Sequence, residues 1–328
     1  MKRFIKTITA CIVAAGLSSC ALIDFVPQGY VFSYGVSDYP GTANDLNFTD
    51  DDARSIYTMF NVAGYESHLR VNGGGGTYGG TEEAPATLMQ LEADIAYAAE
   101  RATTKDTIVF YFSSHGTQIQ NTSDSEDDEP TDPEGSLFSG QAADEYVLLY
   151  YPTWELDTDP ESVYLSDNTL QLLLSSIPHG KIVVIIDACY SGGFIGDSNY
   201  LDIWDDPYYQ GDGDSYTVPD IDDLISSWSH SLAGYDVKAE TALVLAAAGE
   251  YEESQEFYDS DQYPDQGIFT YYLLETPEKG DIDGDGYVSL FEMYEYVSYK
   301  LRKNWNDPNP VKSFHPRITG SAVDFFLF

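Results

Sequence analysis

Two runs of the sequence are apolar at almost every position, and they limit the possible folds more than any other feature. They are TIVFYF at 107–112 and IVVIID at 182–187. Buried runs of this length, alternating with helix-like segments, are typical of a sheet that is covered on both faces. The sequence therefore predicts an α/β fold with a mostly parallel sheet flanked by helices on both faces.

Segments with helical periodicity separate the apolar runs. One of them carries Leu88, Leu91, Ile95 and Ala98, and we expect it to begin near Pro85, because proline is tolerated in the first helical turn. The sequence contains no internal repeat. We also predict helices over 51–64, 166–178 and 267–275, and further strands over 30–36, 65–71, 146–151 and 241–249.

The N-terminus has the features of an export signal. MKRFIKTITACIVAAGLSSC combines a basic start, an apolar stretch too short to span a membrane permanently, and small residues before Cys20. It resembles a bacterial lipoprotein signal over 1–19, which implies cleavage before Cys20 and a lipid on its sulfur. Ala21 is not a retention aspartate, so the outer membrane is the expected destination. An ordinary signal with an incidental cysteine is the alternative.

The charge balance excludes some classes of partner. The chain has 55 Asp and Glu against 15 Lys and Arg, a formal net charge of -40. Such a surface repels nucleic acid and anionic lipid, so we expect neither as a binding partner. A solvated acidic surface suits salty or calcium-rich surroundings. We expect a monomer, held at the membrane only through its N-terminal lipid.

Cysteine usage isolates one thiol. Of three cysteines, Cys11 leaves with the signal and Cys20 carries lipid, so Cys189 is the sole thiol left in the exported chain. No disulfide framework can form. The alternative is that Cys189 is a small buried hydrophobic residue without a chemical role.

A histidine follows the other apolar run. His115 comes after 107–112 and Cys189 after 182–187. Reactive groups collect at the carboxyl edge of a parallel sheet, and neighbouring strands lie about 4.8 Å apart, so the imidazole can meet the thiol. An imidazole there would stabilise the thiolate nucleophile. Gly116, without a Cβ, suits close approach of its amide to a substrate oxyanion.

Several motifs now occur in a recognisable order. YFSSHGTQ, ADEYVLLYYP, VVIIDACYSGGF and LVLAAAGEYEESQEF, with DDARSIYTMF before them, resemble the caspase-like cysteine peptidases, most closely the metacaspase branch. The resemblance implies the caspase-hemoglobinase fold, a peptidase domain over 20–278, the dyad His115 and Cys189, and oxyanion donors at Gly116 and the Cys189 amide. Ser114 and Tyr190 depart from the residues usual in the family, which leaves substrate fit open.

The residues around the cysteine favour a basic substrate. Asp187 stands where caspases that cleave after aspartate carry glutamine, and no arginine follows Cys189 until Arg302. Asp187, with Asp52 as in metacaspases, would pair with a substrate Arg or Lys. The alternative is that Asp187 only caps its turn. Lys238 is the sole Lys or Arg between Cys189 and the strand predicted from Thr241, and we expect self-processing there.

A twelve-residue segment in the C-terminal extension, 279–328, has the spacing of an EF-hand calcium loop. DIDGDGYVSLFE (281–292) has glycine at its sixth position, Gly286, where the sharp turn requires it. The alternative is an acidic turn without a metal. By the metacaspase resemblance, loop 121–134 and Asp197 are a candidate second calcium site. The predicted EF-hand ligands are Asp281, Asp283, Asp285, the Tyr287 carbonyl, Ser289 and Glu292.

Three functions follow from these patterns. The first is a lipid-anchored, calcium-binding cysteine endopeptidase of the bacterial cell envelope. The second is a caspase-fold binding module without activity, against which the intact His115 and Cys189 argue. The third is an acidic calcium-binding surface protein whose thiol serves only packing.

Overall fold

The computed structural model describes residues 28–39, 43–120, 143–151, 163–178, 180–195, 200–201, 241–257, 264–319 and 325–328. The predictions for Cys20, Lys238, loop 121–134 and Asp197 lie outside these residues. Within them, no helix is long and apolar enough to cross a bilayer.

The core of the described part is a seven-stranded sheet with the strand order β10-β14-β11-β9-β5-β1-β2. Five of its strands are parallel to one another, and β14 runs antiparallel to them. The edge strand β10 pairs antiparallel with β14 and therefore runs in the same direction as the five. This confirms the predicted mostly parallel sheet. Its strands are β1 Gly29–Gly35, β2 Glu66–Val71, β5 Thr107–Ser113, β9 Lys181–Asp187, β10 Tyr200–Leu201, β11 Leu243–Ala246 and β14 Arg317–Thr319.

Smaller sheets lie beside this core. One antiparallel sheet contains β6 Gly116–Gln120, β7 Ala143–Leu148 and β8 Tyr164–Ser166. The strand predicted at 146–151 therefore begins earlier and belongs to this separate sheet. Its partner β6 starts directly after His115. Two short hairpin pairs join β3 Thr77–Tyr78 with β4 Thr81–Glu82, and β12 Glu256–Phe257 with β13 Gln266–Gly267.

Helices pack on both faces of the sheet, as predicted. Alternate residues of each central strand point to opposite faces, so Val183 and Ile185 of β9 join one buried cluster and Val184 and Ile186 the other. The first cluster is closed by α1 Thr49–Val62, α4 Ile268–Leu274 and α6 Leu290–Leu301, and the second by α2 Leu88–Arg101 and α3 Asp167–Leu174.

Helix α2 begins later than the sequence suggested. Its first residue is Leu88, and the Thr87 side chain accepts a hydrogen bond from the Gln90 amide at 3.2 Å. The prediction of a start near Pro85 is therefore wrong. A threonine cap satisfies an otherwise unpaired helical N–H, which proline does not do.

The C-terminal extension contributes a strand to the central sheet of the domain. Its strand β14 pairs with β11 and so lies inside the central sheet. Short helical turns lead to it. They are α5 Thr276–Lys279, before the acidic loop (the predicted calcium loop, 281–292), and the turns Arg302–Asn306 and Pro310–Lys312, after α6. The final residues 325–328 pair with 288–290, through Leu290 N–H to the Phe325 carbonyl at 2.7 Å and Leu327 N–H to the Val288 carbonyl at 2.9 Å.

Candidate active site

The carboxyl edge of β5 and β9 brings the two predicted reactive residues to one place. Ser113 and Asp187 are register partners at the ends of these parallel strands, and His115 and Cys189 each follow two residues later. Both side chains line one cavity. The predicted adjacency of the two strands is therefore confirmed.

The His115 ring is held in a defined orientation. Its Nε2 lies 2.7 Å from the Asn44 carbonyl oxygen, and its backbone N–H donates to the Tyr39 hydroxyl at 2.9 Å. Tyr39 also packs against the imidazole, with ring centroids 4.6 Å apart. A carbonyl oxygen only accepts, so Nε2 carries a hydrogen. In the neutral ring this leaves the lone pair on Nδ1, the nitrogen that is free to act as a base.

The surroundings of Cys189 favour the neutral thiol. Burial, followed by the negative charge of Glu253, raises the pKa of Cys189 to about 12. Its Sγ lies 3.8 Å from the Ser254 carbonyl oxygen. The sequence predicts an imidazole-stabilised thiolate, whereas these surroundings disfavour the charged form. Burial of the sulfur and the charge of Glu253 both disfavour the thiolate.

A strained turn follows the cysteine. Tyr190 has φ +59°, in the left-handed region that non-glycine residues rarely adopt. Its N–H donates to the Glu252 carbonyl at 2.8 Å, and its own carbonyl accepts from Gly193 at 3.2 Å. These bonds fix the backbone that carries the thiol.

Gly116 lies against the backbone of Cys189. A Cβ at this position would overlap the Cys189 carbonyl oxygen, so a side chain is excluded. Leu148 N–H donates to the His115 carbonyl at 2.9 Å, which makes Gly116 and Val147 a non-hydrogen-bonded pair of the β6–β7 ladder. The Gly116 amide therefore points out of the ladder, which is compatible with a role as an oxyanion donor.

Two buried carboxyl groups line the cavity. Asp52, from α1, accepts hydrogen bonds from the Gly267 N–H at 3.0 Å and the Ser113 hydroxyl at 3.1 Å. Asp187 accepts from the Ser254 hydroxyl at 2.7 Å and the Thr270 hydroxyl at 2.6 Å. A Cβ on Gly267 would meet both carboxyl groups, which therefore lie close to each other.

The two carboxyl groups disfavour each other's ionisation. Burial, then the neighbouring charge of Asp187, raises the pKa of Asp52 well above its ordinary value. Burial likewise raises the pKa of Asp187, although the hydroxyl donors of Ser254 and Thr270 partly oppose the shift. A cation entering the cavity would relieve the repulsion.

Sequence reasoning missed a third acid. Glu256 also lines the cavity, and its Oε1 accepts from the Phe48 N–H at 3.0 Å, at the start of α1. It stands 69 residues after Asp187 in an acidic stretch, where nothing in the local pattern distinguishes it from its exposed neighbours. The tertiary fold alone brings it to the site.

One known protein family matches most of this chain. The family described as the caspase domain matches residues 31–313. This chain belongs to the caspase family. A search of curated proteins finds no match. Among solved structures, the crystal structure of protein GSU0716 from Geobacter sulfurreducens is similar in fold, with 18% sequence identity, a TM-score of 0.51, and coverage of 89% of this chain and 92% of that one.

A second acidic cluster lies away from the caspase-family cavity, in the predicted calcium loop. Carboxylate oxygens of Asp281, Asp283 and Asp285 lie within 4.8 Å of one another, and all three residues are exposed. Gly286 has φ +92°, which explains the glycine at the sixth position. Asp281 accepts hydrogen bonds from the loop amides of Gly284 at 2.7 Å and Gly286 at 3.1 Å.

The remaining predicted ligands lie at the start of α6. Ser289 caps the helix, and Glu292 accepts from the Ser289 N–H at 2.8 Å and from the Ile282 N–H at 3.0 Å. Tyr287 is exposed, and its N–H donates to Asp285 at 2.8 Å. The donor set, rich in carboxylate oxygens, fits a hard cation such as calcium.

Proposed function

We propose that this caspase-family chain is a cysteine endopeptidase that cleaves peptide bonds after Arg or Lys, with His115 and Cys189 as the catalytic dyad. The observation that carries the proposal is that both residues line the same cavity as the buried acids Asp52 and Asp187. An acidic pocket beside a nucleophile favours a cationic side chain, because the negative charge of the pocket is paired only after the substrate enters. This pocket also favours the metacaspase-like branch of the family.

The mechanism follows from the groups present. The guanidinium or ammonium group of the substrate Arg or Lys pairs with Asp52 and Asp187, which places the main-chain carbonyl of that same residue at Cys189. Cys189 Sγ attacks the carbonyl carbon while His115 Nδ1 takes the thiol proton. The amides of Gly116 and Cys189 donate to the resulting oxyanion.

Collapse of this intermediate breaks the peptide bond. The protonated His115 gives its proton to the leaving amine, and the acyl group stays on Cys189 as a thioester. Water, activated by His115 Nδ1, then attacks the thioester and releases the acid product and the free thiol. The hydrogen bond from His115 Nε2 to Asn44 keeps the ring oriented through both steps.

Peptide hydrolysis tests this proposal. We expect the wild-type protein to cleave peptides with Arg or Lys before the scissile bond, and Cys189→Ala and His115→Ala to lower kcat by about 10³-fold or more. His68→Ala, on the distant strand β2, is the control histidine. Hydrolysis only after acidic residues would contradict the pocket assignment, and full activity in Cys189→Ala would contradict the dyad.

We propose that the acidic loop binds calcium through Asp281, Asp283, Asp285, the Tyr287 carbonyl, Ser289 and Glu292. The convergence of the three aspartates supports this. A bound ion would neutralise their mutual repulsion and stabilise the loop from which α6 starts. A weak affinity suffices outside the cell.

We also propose an envelope location for the protein. Cys20 would carry the lipid, with the outer membrane as destination, and the substrates would be proteins or peptides with accessible basic residues. Mass spectrometry of the mature N-terminus should find an acylated Cys20. The same measurement on active protein should find cleavage after Lys238, and an intact bond there would exclude self-processing at that site.

A further inference from the structure

One short segment contacts both the nucleophile and the pocket. The active-site loop, residues 249–255, connects β11 to β12. Its Ser254 carbonyl faces Cys189 Sγ at 3.8 Å, its Ser254 hydroxyl donates to Asp187 at 2.7 Å, and its Glu252 carbonyl accepts from Tyr190 N–H at 2.8 Å. A shift of this loop would therefore move the thiol, the strained turn and the pocket acid together.

The Glu252 side chain holds the active-site loop in place. Its Oε2 accepts hydrogen bonds from the Gly249 N–H at 2.9 Å and the His315 N–H at 2.7 Å, and its Oε1 lies 2.6 Å from His315 Nδ1. Burial tends to raise the pKa of Glu252, but the hydrogen bond and charge of His315 outweigh it and lower the pKa. The carboxylate is thus charged and bound on both oxygens.

His315 reaches this position from the C-terminal extension. Its neighbour Phe314 is fully buried and exchanges two backbone hydrogen bonds with the Asn306 side chain, at 2.8 and 3.2 Å. Two residues after His315, Arg317 pairs with Ala246 in the central sheet. The segment is fixed on both sides, so the imidazole is a rigid partner for the loop.

We propose that Glu252 and His315 form a positioning pair, through which the C-terminal extension holds the active-site loop against the Cys189 turn. This inference rests on the proposed function for its effect on catalysis. Neither residue lines the cavity, so both act through the Tyr190 amide and Ser254. Removing the pair should displace the nucleophile, and small displacements of reacting groups cost large factors in rate.

Kinetics of matched variants test the pair. We expect His315→Ala to lower kcat for an Arg peptide by about tenfold while KM changes by less than about threefold, because the lost alignment acts mainly in the transition state. His315→Asn retains an N–H donor and should recover most of the rate. The control is His68→Ala, which removes a similar histidine contact, Nε2 to Glu66 at 3.3 Å, on strand β2.

A measurement that does not require peptidase activity completes the test. A loosened loop exposes the thiol, so alkylation of Cys189 by iodoacetamide should become several-fold faster in His315→Ala while kcat falls. Hydrogen exchange of residues 249–255 should rise in parallel. Mass spectrometry of the Cys189 peptide separates it from Cys11 and Cys20. Glu252→Gln, a smaller change, should give intermediate values.

The outcomes separate the two proposals. If the wild-type protein cleaves no peptide, but His315→Ala still accelerates alkylation and exchange, the endopeptidase proposal fails and the loop-holding role of the pair stands. If the wild-type protein is active, and His315→Ala changes kcat, alkylation and exchange no more than His68→Ala does, the positioning pair is wrong.

Discussion

Two acidic clusters in this molecule have opposite surroundings. Asp52 and Asp187 are buried and hydrogen-bonded by side-chain hydroxyls and backbone amides from three parts of the chain. Asp281, Asp283 and Asp285 are exposed, lie within five residues, and accept hydrogen bonds from amides of their own loop.

This difference teaches what each cluster can recognise. The buried pair carries raised pKa values and lines a cavity, so it suits a single organic cation that brings its own hydrogen-bond donors. The exposed trio offers closely spaced oxygens on a tight loop, which suits a small divalent ion. Acidic residues alone do not define a ligand; burial and spacing do.

In this comparison, the largest effect is expected from a substitution in the buried pair, Asp52 and Asp187. Asp187→Asn should lower kcat/KM for an Arg peptide by about 100-fold, because a substrate cation then loses a desolvated charged partner. The control is Asp106→Asn, which changes a buried aspartate at the opposite edge of the sheet. It should leave kcat/KM for the Arg peptide unchanged. Equal losses in both variants would show that general destabilisation, and not pocket charge, explains the effect.

An effect of roughly 1–3 kcal/mol is expected at the exposed trio. Calcium at 10 to 100 times its Kd stabilises a protein by about that much, so adding it should raise the Tm by a few degrees. Asp283→Asn should remove most of the shift, which differential scanning calorimetry would detect. Glu278→Gln, an acid in the neighbouring helix α5, should keep it. A full shift in Asp283→Asn would refute the loop assignment.

The smallest effect concerns pH and again the buried pair. The raised pKa values of Asp52 and Asp187 mean that the folded state binds more protons than the unfolded state above about pH 4. Stability from these groups is therefore present in acid and is lost as the pH rises through the folded-state pKa values.

Binding of a guanidinium probe should depend on pH in the opposite direction and become stronger as the pH rises. Agmatine needs ionised carboxylates, so its affinity for Cys189→Ala should increase by about tenfold as the pH rises above 4. Isothermal titration calorimetry would measure this. In Cys189→Ala combined with Asp187→Asn, the increase should be much smaller. An affinity that is flat with pH in Cys189→Ala would contradict the paired-carboxyl pocket.

Much of the fold could be predicted because the signals for its strands and turns lie within short segments of the sequence. The apolar runs that became β5 and β9 carry their own strand signal, and residues at their ends necessarily reach one edge when the strands pair in register. Gly286 and the spaced aspartates of the acidic loop likewise carry a local geometric requirement. The start of α2 was misplaced, because a cap depends on one side-chain hydrogen bond. The strand predicted at 146–151 also begins earlier, at Ala143, and belongs to a separate sheet.

The surroundings of the site were not predictable in the same way. Asn44, Glu256 and His315 lie far along the chain from the residues they support, and no periodicity identifies them. The raised pKa of Cys189 also depends on burial and on Glu253, which is 64 residues away. Long-range contacts of this kind leave no pattern in a single sequence.

The sequence by itself determined the layered α/β architecture, the edge shared by His115 and Cys189, and the spacing of the acidic loop, since hydrophobic period and turn chemistry act over a few residues. Only the tertiary structure decided that β14 enters the central sheet, that Asp52 and Asp187 share one cavity, and that His315 holds Glu252. The reason is that burial and charge at a site are properties of all the elements packed around it.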